Sequence, residues 1–272
     1  MPLPYIDIKP VALPVIGLKL HAFGALVATG VMIGSALAVR RAVARGLSRQ
    51  KFESLVTYCL LFGFVLSHVL DELMYRPKEV LANPITLLYV WKGISSYGGF
   101  IGGLVGALVW RQKFKEKLLP YADQITAVFA VSWIFGRAGC ASAHDHIGRL
   151  SSSPLAVAFP GGARFDLGLL EMFLTIPIAI FMWWYARSPR RAGQITGVLC
   201  MIYAPIRYPL DALRATDISG ADARYVGLTP GQWLSLALFG VGLALYLHAR
   251  TQPVIAIVPV SERASPEEPA SA

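Results

Sequence analysis

An apolar stretch of about twenty residues recurs seven times along the chain, and that recurrence limits the possible folds more than any other feature. As a helix rising about 1.5 Å per residue, each stretch is long enough to cross a hydrocarbon core of about 30 Å. Windows near residues 13–39, 52–75, 95–112, 119–138, 166–186, 194–213 and 231–249 predict an all-α, polytopic membrane protein of about seven transmembrane helices. Composition argues against a soluble domain: 55% of the 272 residues are hydrophobic and only 15% charged, with a mean hydropathy of +0.55. Soluble domains carry charge on roughly a quarter of their residues.

The formal net charge of +9 comes from short basic clusters between the apolar runs. This pattern suits membrane loops and lipid partners and argues against a nucleic-acid surface. Arg40, Arg41, Arg45, Arg49 and Lys51 follow the first window; Lys113, Lys115 and Lys117 the third; Arg187, Arg190 and Arg191 the fifth. Alternate loops share one side, and the positive-inside bias makes that side the cytoplasm. The amino terminus is then outside and the carboxyl terminus inside. Residues 1–250 form one membrane domain, and the polar tail 251–272 is expected to be disordered in the cytoplasm. MPLPYIDIKP has no basic region ahead of the apolar run, so no cleaved signal is expected. Cys59, Cys140 and Cys200 are too few and too far apart for a disulfide framework or a zinc site.

The loops assigned to the outside, residues 76–94, 139–165 and 214–230, are long and rich in Gly, Pro, Asp and His, so chemistry is expected at that face. Ionisable groups inside a span cost a few kcal/mol and need a reason. Arg137 is read as closing the fourth span and Arg207 as lying toward the outer end of the sixth, where two planar guanidinium forks suit a phosphate headgroup. Tyr203, Arg207, Asp211 and Arg214 fall on one helical face, and Pro209 can kink it. The bland alternative pairs Arg207 with Asp211 and lets Arg214 snorkel to the headgroups.

The segment 136–149, GRAGCASAHDHIGR, reads as a loop holding the densest polar chemistry in the chain. His144, Asp145 and His146 suit acid–base work beside a lipid phosphate, and no metal is expected because no third or fourth ligand is obvious. A merely hydrated loop is the competing reading. In the second span, His68 and Glu72 share a face beside Asp71, as an ion pair, a headgroup contact or a proton relay. Asp123 and the glycine-rich run from Gly98 to Gly106 suit helices packed on helices, with Gly98 and Gly99 also able to open the backbone so that Tyr97 points at a ligand.

These residues resemble the prolipoprotein diacylglyceryl transferases, a bacterial inner-membrane family with seven spans and an external amino terminus. The resemblance covers roughly residues 13–249. It rests first on Gly136, Arg137 and Gly139 followed by Gly148 and Arg149, then on SPLAVAFP and on NPITLLYVWKGISSYGGFIGG. Tyr203, Arg207 and Asp211 fall where a Tyr, an Arg and an acid are expected, and LLE at 169–171 echoes a Leu-Tyr-Glu element. The resemblance implies transfer of an sn-1,2-diacylglyceryl group from phosphatidylglycerol to the lipobox cysteine thiol of a prolipoprotein, forming a thioether and releasing glycerol phosphate. It implies no soluble cofactor, and a monomer is expected. Arg137, Arg207, His144, Asp145, His146 and Tyr97 become the catalytic candidates; Arg149, Tyr203, Asp211, Gly98, Gly99 and Gly148 become substrate-binding candidates. The sequence departs from the pattern at Tyr97 (for His), Cys140 and Ala143 (for Asn), Asp145 (for Glu) and Phe23 (for Tyr). His144 or His146 is then the substitute base. A non-catalytic phosphatidylglycerol-binding paralogue and a small transporter with a midplane polar site remain the alternatives.

Overall fold

A computed structural model describes residues 1–13, 18–89, 93, 95–218, 221–252 and 254–255. Among the described residues the long helices are α1 (Ala22–Ala44), α2 (Arg49–Tyr75), α4 (Ser96–Phe114), α5 (Leu118–Ala143), α6 (Leu167–Tyr185), α7 (Gln194–Ala212) and α8 (Pro230–Ala249), with a short α3 (Pro77–Ala82) between α2 and α4. Of these, α1, α2, α5, α6 and α8 are long and apolar enough to cross a membrane, which makes the chain a multi-pass, mainly helical membrane protein. The other two are diluted for visible reasons: α4 carries five glycines and a basic end, and α7 carries Arg207 and Asp211.

Helix starts follow local capping chemistry. Ser48, Ser95 and Asp166 accept the backbone amides of Lys51, Gly98 and Leu169 at the starts of α2, α4 and α6, and Thr229 with Gln232 makes a reciprocal capping box on α8. Three boundaries differ from the sequence reading. The first apolar window does not begin a helix at residue 13: Val11–Leu13 (β1) pairs antiparallel with Leu18–Leu20 (β2), and α1 starts at Ala22. The supposed loop 136–149 is helical through Ala143, because Gly136 and Gly139 fit within α5 rather than ending it. Its remainder is a left-handed His144 (φ 49°) leading into a strand. The third difference lies in the tail. Val254–Ile255 (β7) pairs with Arg190–Arg191 (β6), while residues 253 and 256–272, with most of the expected disordered tail, lie outside the described residues.

The chain divides into two compact units. The first comprises residues 1–38 and 122–257. Between α5 and α6 it builds a small antiparallel sheet of β3 (Ile147–Leu150), β5 (Gly162–Asp166) and β4 (Val157–Phe159) in that spatial order. Both outer strands are covered: residues 213–215 bond to β3 through Arg149 N to Leu213 O (2.8 Å) and Ala215 N to Ile147 O (3.1 Å), and Leu3 bonds to Ala156 and Ala158 beside β4. Gly148 sits where a Cβ would meet Phe165 and the Leu213 carbonyl within 3.1 Å, so close strand packing accounts for it.

The second unit includes residues 39–121 and is held by the contact of α2 with α4. Gly98, Gly102 and Gly106 recur every four residues, and a Cβ on each would lie 2.5 Å or less from the carbonyl of Leu66, Phe62 or Tyr58. Small residues at this spacing let two backbones approach closely. Glu72 pairs with Arg76 at 2.7 Å, not with His68; the His68 ring faces the carbonyls of Gly93 and Thr86. Tyr97 lies half-buried in the first turn of α4, and Gly99 borders the same contact with α2.

Candidate active site

Within the first unit, three helices converge on one carboxylate. Trp133 and Arg137 lie four residues apart on α5, Glu171 lies in the second turn of α6, and Tyr203, Arg207 and Asp211 follow at intervals of four on α7. Glu171 is 1% exposed. Its Oε1 lies 3.0 Å from Arg137 Nε and accepts from Trp133 Nε1 (3.1 Å) and from the Tyr203 hydroxyl. Its Oε2 accepts from Arg207 Nη1 at 2.6 Å. Arg137 also lies over the Trp133 ring, 4.4 Å from its centroid, in a cation–π contact.

The line continues along α7. Arg207 Nη2 donates to Asp211 Oδ1 at 2.6 Å, Arg214 Nε donates to the same oxygen at 2.9 Å, and Thr229 donates its hydroxyl proton to Asp211 Oδ2. Arg214 Nη1 reaches Asp222 at 2.8 Å. Three guanidinium groups thus alternate with three carboxylates from α5 to the segment after α7. Breaking a buried pair of this kind costs about 3–5 kcal/mol, because the remaining charge is stranded. The arrangement fixes the Arg forks in place before any ligand arrives.

From Arg137 a second arm leads to the end of α5. Its Nη1 lies 3.8 Å from Cys140 Sγ and donates toward His146 Nε2 at 3.4 Å, and His146 Nδ1 faces the Asp145 carboxylate at hydrogen-bond distance. This pattern places the ring proton on Nδ1 and leaves Nε2 as the acceptor. His144 differs: Nδ1 faces Asp166 Oδ2 at 2.7 Å and Nε2 faces the Ile6 carbonyl at 3.1 Å. Neither nitrogen offers a lone pair to a substrate, and Tyr5 stacks on the ring at 4.4 Å. His144 therefore clamps the amino-terminal segment, and His146 is the better placed of the two substitute bases. Cys140, Asp145 and His146 carry metal-ligand atoms within 4.8 Å of one another. The Arg137 cation next to both Sγ and Nε2 opposes a metal ion there.

Beside this arm lies a half-open cleft of about 240 Å³ lined by His144, Asp145, Arg214, Ile218, Ala221 and Asp222. Arg149 projects from β3 as an exposed side chain. Arg137, Arg207, Tyr203 and Asp211 therefore share one network, Asp145 and His146 are joined to it through Arg137, and Gly148 shapes the sheet alongside. Tyr97, Gly98 and Gly99 belong to the other unit. Sequence reasoning had no role for Trp133, Asp166 or Thr229, and it met Glu171 only as the last residue of the LLE element, with no chemistry assigned to it. Glu171 carried a usable signal, being the one acidic residue in the apolar run of α6.

A multi-pass helical membrane protein with a guanidinium–carboxylate network buried between its helices is the class that fold and site define. Within that class, the profile of the family described as prolipoprotein diacylglyceryl transferase matches residues 10–248, and the chain belongs to that family. Similar proteins include the phosphatidylglycerol–prolipoprotein diacylglyceryl transferase of Bordetella bronchiseptica, 32% identical over 92% of this chain and 99% of its own length. Proteins of the same name from Chromohalobacter salexigens (29% identical over 93% of this chain and 96% of theirs) and Nitratidesulfovibrio vulgaris (27% over 91% and 96%) are also similar.

Proposed function

We propose that this protein transfers the diacylglyceryl group of phosphatidylglycerol to the lipobox cysteine of prolipoproteins, at the outer face of the bacterial inner membrane. In this reading all seven long helices span the bilayer. The basic clusters after α1, α4 and α6 lie in the cytoplasm and the amino terminus outside, by the positive-inside bias. The observation that carries the reading is the meeting of Arg137 and Arg207, from separate helices, on Glu171.

The substrate thiol attacks a glycerol carbon, the C–O bond to phosphate breaks, and negative charge stays on the departing glycerol phosphate. Arg137 and Arg207, already oriented, stabilise that charge where it develops. His146 Nε2 takes the thiol proton, with Asp145 holding the ring in the required tautomer. Asp211 holds Arg207 directly and Tyr203 does so through Glu171, while Arg149 is assigned to lipid binding. The active unit is a monomer.

Expression in cells depleted of their own transferase, with Arg137→Ala as control, tests this. Growth and lipoprotein modification should be restored by the native chain only. With purified protein, glycerol phosphate should appear only when both phosphatidylglycerol and a lipobox peptide are present. Phosphatidylglycerol retention without product would instead identify a binding paralogue, and solute flux through liposomes a transporter; either outcome overturns the proposal.

A further inference from the structure

We propose that Thr229 is a positioning residue for diacylglyceryl transfer: through Asp211 it sets the guanidinium forks of Arg207 and Arg214, and so ties the start of α8 to the cations of the site. Its role in that reaction rests on the transferase reading above, whereas its hold on the two arginines does not. Asp211 is 1% exposed, and its two oxygens are used differently. Oδ1 accepts from Arg207 Nη2 (2.6 Å) and from Arg214 Nε (2.9 Å), while Oδ2 accepts from the Thr229 hydroxyl. A carboxylate held at one oxygen can turn about its terminal torsion, which is soft; held at both, it presents Oδ1 to both arginines in a fixed direction. Thr229 is fixed in turn. It is 1% exposed, its Oγ1 accepts from the Gln232 amide (3.1 Å), and its own amide donates to Gln232 Oε1 (3.1 Å), which leaves the hydroxyl proton for Asp211.

Helix capping alone does not require that proton. The cap uses Oγ1 as an acceptor, and Asp would serve α8 as well in that respect, but it would set a second carboxylate against Asp211. Thr caps and donates at once. Gly231 completes the seat: a Cβ there would lie 2.6 to 2.8 Å from the Asp211 carboxyl atoms, so the carboxylate rests directly on the first turn of α8, where the positive end of the helix dipole favours it. The consequence for transfer follows from charge. The phosphate of phosphatidylglycerol is a diester with one negative charge, and the departing glycerol phosphate develops a second, so a misdirected Arg207 is felt more in the transition state than in the bound lipid.

The test uses the full chain in detergent micelles with phosphatidylglycerol and a lipobox peptide. Thr229→Gly removes the hydroxyl but keeps most of the cap, because glycine is tolerated at that position of a helix. It should lower kcat for glycerol phosphate release about tenfold or more, with KM for phosphatidylglycerol within about twofold, and Thr229→Ser should return kcat to within about twofold of the native chain. Gln232→Ala removes the other half of the capping box and spares the hydroxyl, so kcat should stay within about twofold. A second readout is independent of turnover. With isotope-labelled arginine, the Nε–H resonance of Arg214, identified by its loss in Arg214→Lys, should move in Thr229→Gly and stay in place in Gln232→Ala. An unmoved Arg214 resonance in Thr229→Gly, an equal movement in Gln232→Ala, or an unchanged kcat in Thr229→Gly each overturns the proposal. A native chain that releases no glycerol phosphate overturns the transferase reading and with it the role in that reaction, while the resonance still decides whether Thr229 holds the arginines.

Discussion

Asp123, near the start of α5, and Glu171, which meets α5 near its end, are both almost wholly removed from solvent, but their charges are answered by different partners. Asp123 accepts from Gly193 N (2.7 Å), Thr196 N (2.9 Å) and the Thr196 hydroxyl (2.8 Å), groups at the start of α7. Gly193 has no side chain to cap its own helix, so a carboxylate from a neighbouring helix does so and meets the positive end of the helix dipole. The arrangement is complete within the fold. Glu171 is answered by two arginines, and each passes its remaining donors onward, Arg207 to Asp211 and Arg137 toward Cys140 and His146. A buried acid neutralised by backbone amides is thus a structural fastener, whereas one neutralised by two long cations organises donors that a ligand can use.

Glu171→Gln should have the largest effect. Removing one charge between Arg137 and Arg207 should cost about 3–5 kcal/mol in unfolding measurements and lower lipidation by a hundredfold or more. Asp123→Ala exposes the other half of the contrast. It strips the cap from α7 and should cost about 2–3 kcal/mol, with lipidation per folded molecule within about twofold of the native chain below the melting temperature. Equal losses of activity in the two variants would break the distinction between fastener and organiser.

That contrast was only half legible in the sequence. The mainly helical, multi-pass character follows from apolar length, and the face shared by Tyr203, Arg207, Asp211 and Arg214 follows from helical spacing, because both depend on local sequence. Glu171 joins two arginines 34 residues before it and 36 after it, and nothing local marks which cations it will meet. The end of α5 was misplaced for a related reason. Gly136, Gly139 and the small residues after Cys140 resemble a loop in composition, but Gly139 packs on Phe23 and Gly168 packs on Cys140 and Ala141, so α1 and α6 select small residues there. Such a choice is tertiary and has no periodic signature. The sheet of β3, β4 and β5 was likewise invisible, its strands being only three to five residues long.

The second unit offers a fastener of a third kind, in which no charge takes part. A Cβ added at Gly102 would lie 2.2 Å from the Phe62 carbonyl oxygen, so α2 and α4 must separate to admit it. Gly102→Ala should cost about 1–2 kcal/mol through overpacking, less than stripping the α7 cap. Gly103→Ala, whose nearest contact is 3.9 Å away, should be close to neutral. Thermal unfolding of the two variants side by side measures the difference, and equal melting temperatures would show that close backbone approach does not hold this helix pair.

The smallest effect is expected at an ion pair that encounters water. Arg164 of β5 grips Asp217 with both terminal nitrogens, at 2.9 and 2.6 Å, and ties the segment after α7 to the sheet beside the cleft that Ile218 lines. The hydrogen bond from Arg164 holds the Asp217 carboxyl below its usual range. A carboxylate whose pKa is lower folded than unfolded stabilises the protein above the unfolded value, near 4, and loses that contribution as pH falls through the folded value. Asp217→Asn should therefore lower the melting temperature slightly at pH 7, and the gap from the native chain should close as pH falls toward 3. Solvent screening keeps the effect small at a side chain this exposed, and added salt should shrink it further. A gap unchanged by pH would mean that the Arg164 fork works through shape alone. The Glu171 network, shielded by three helices, should by contrast keep nearly all of its contribution as salt is raised, so a salt series on Glu171→Gln and Asp217→Asn together separates the buried organiser from the solvated tie.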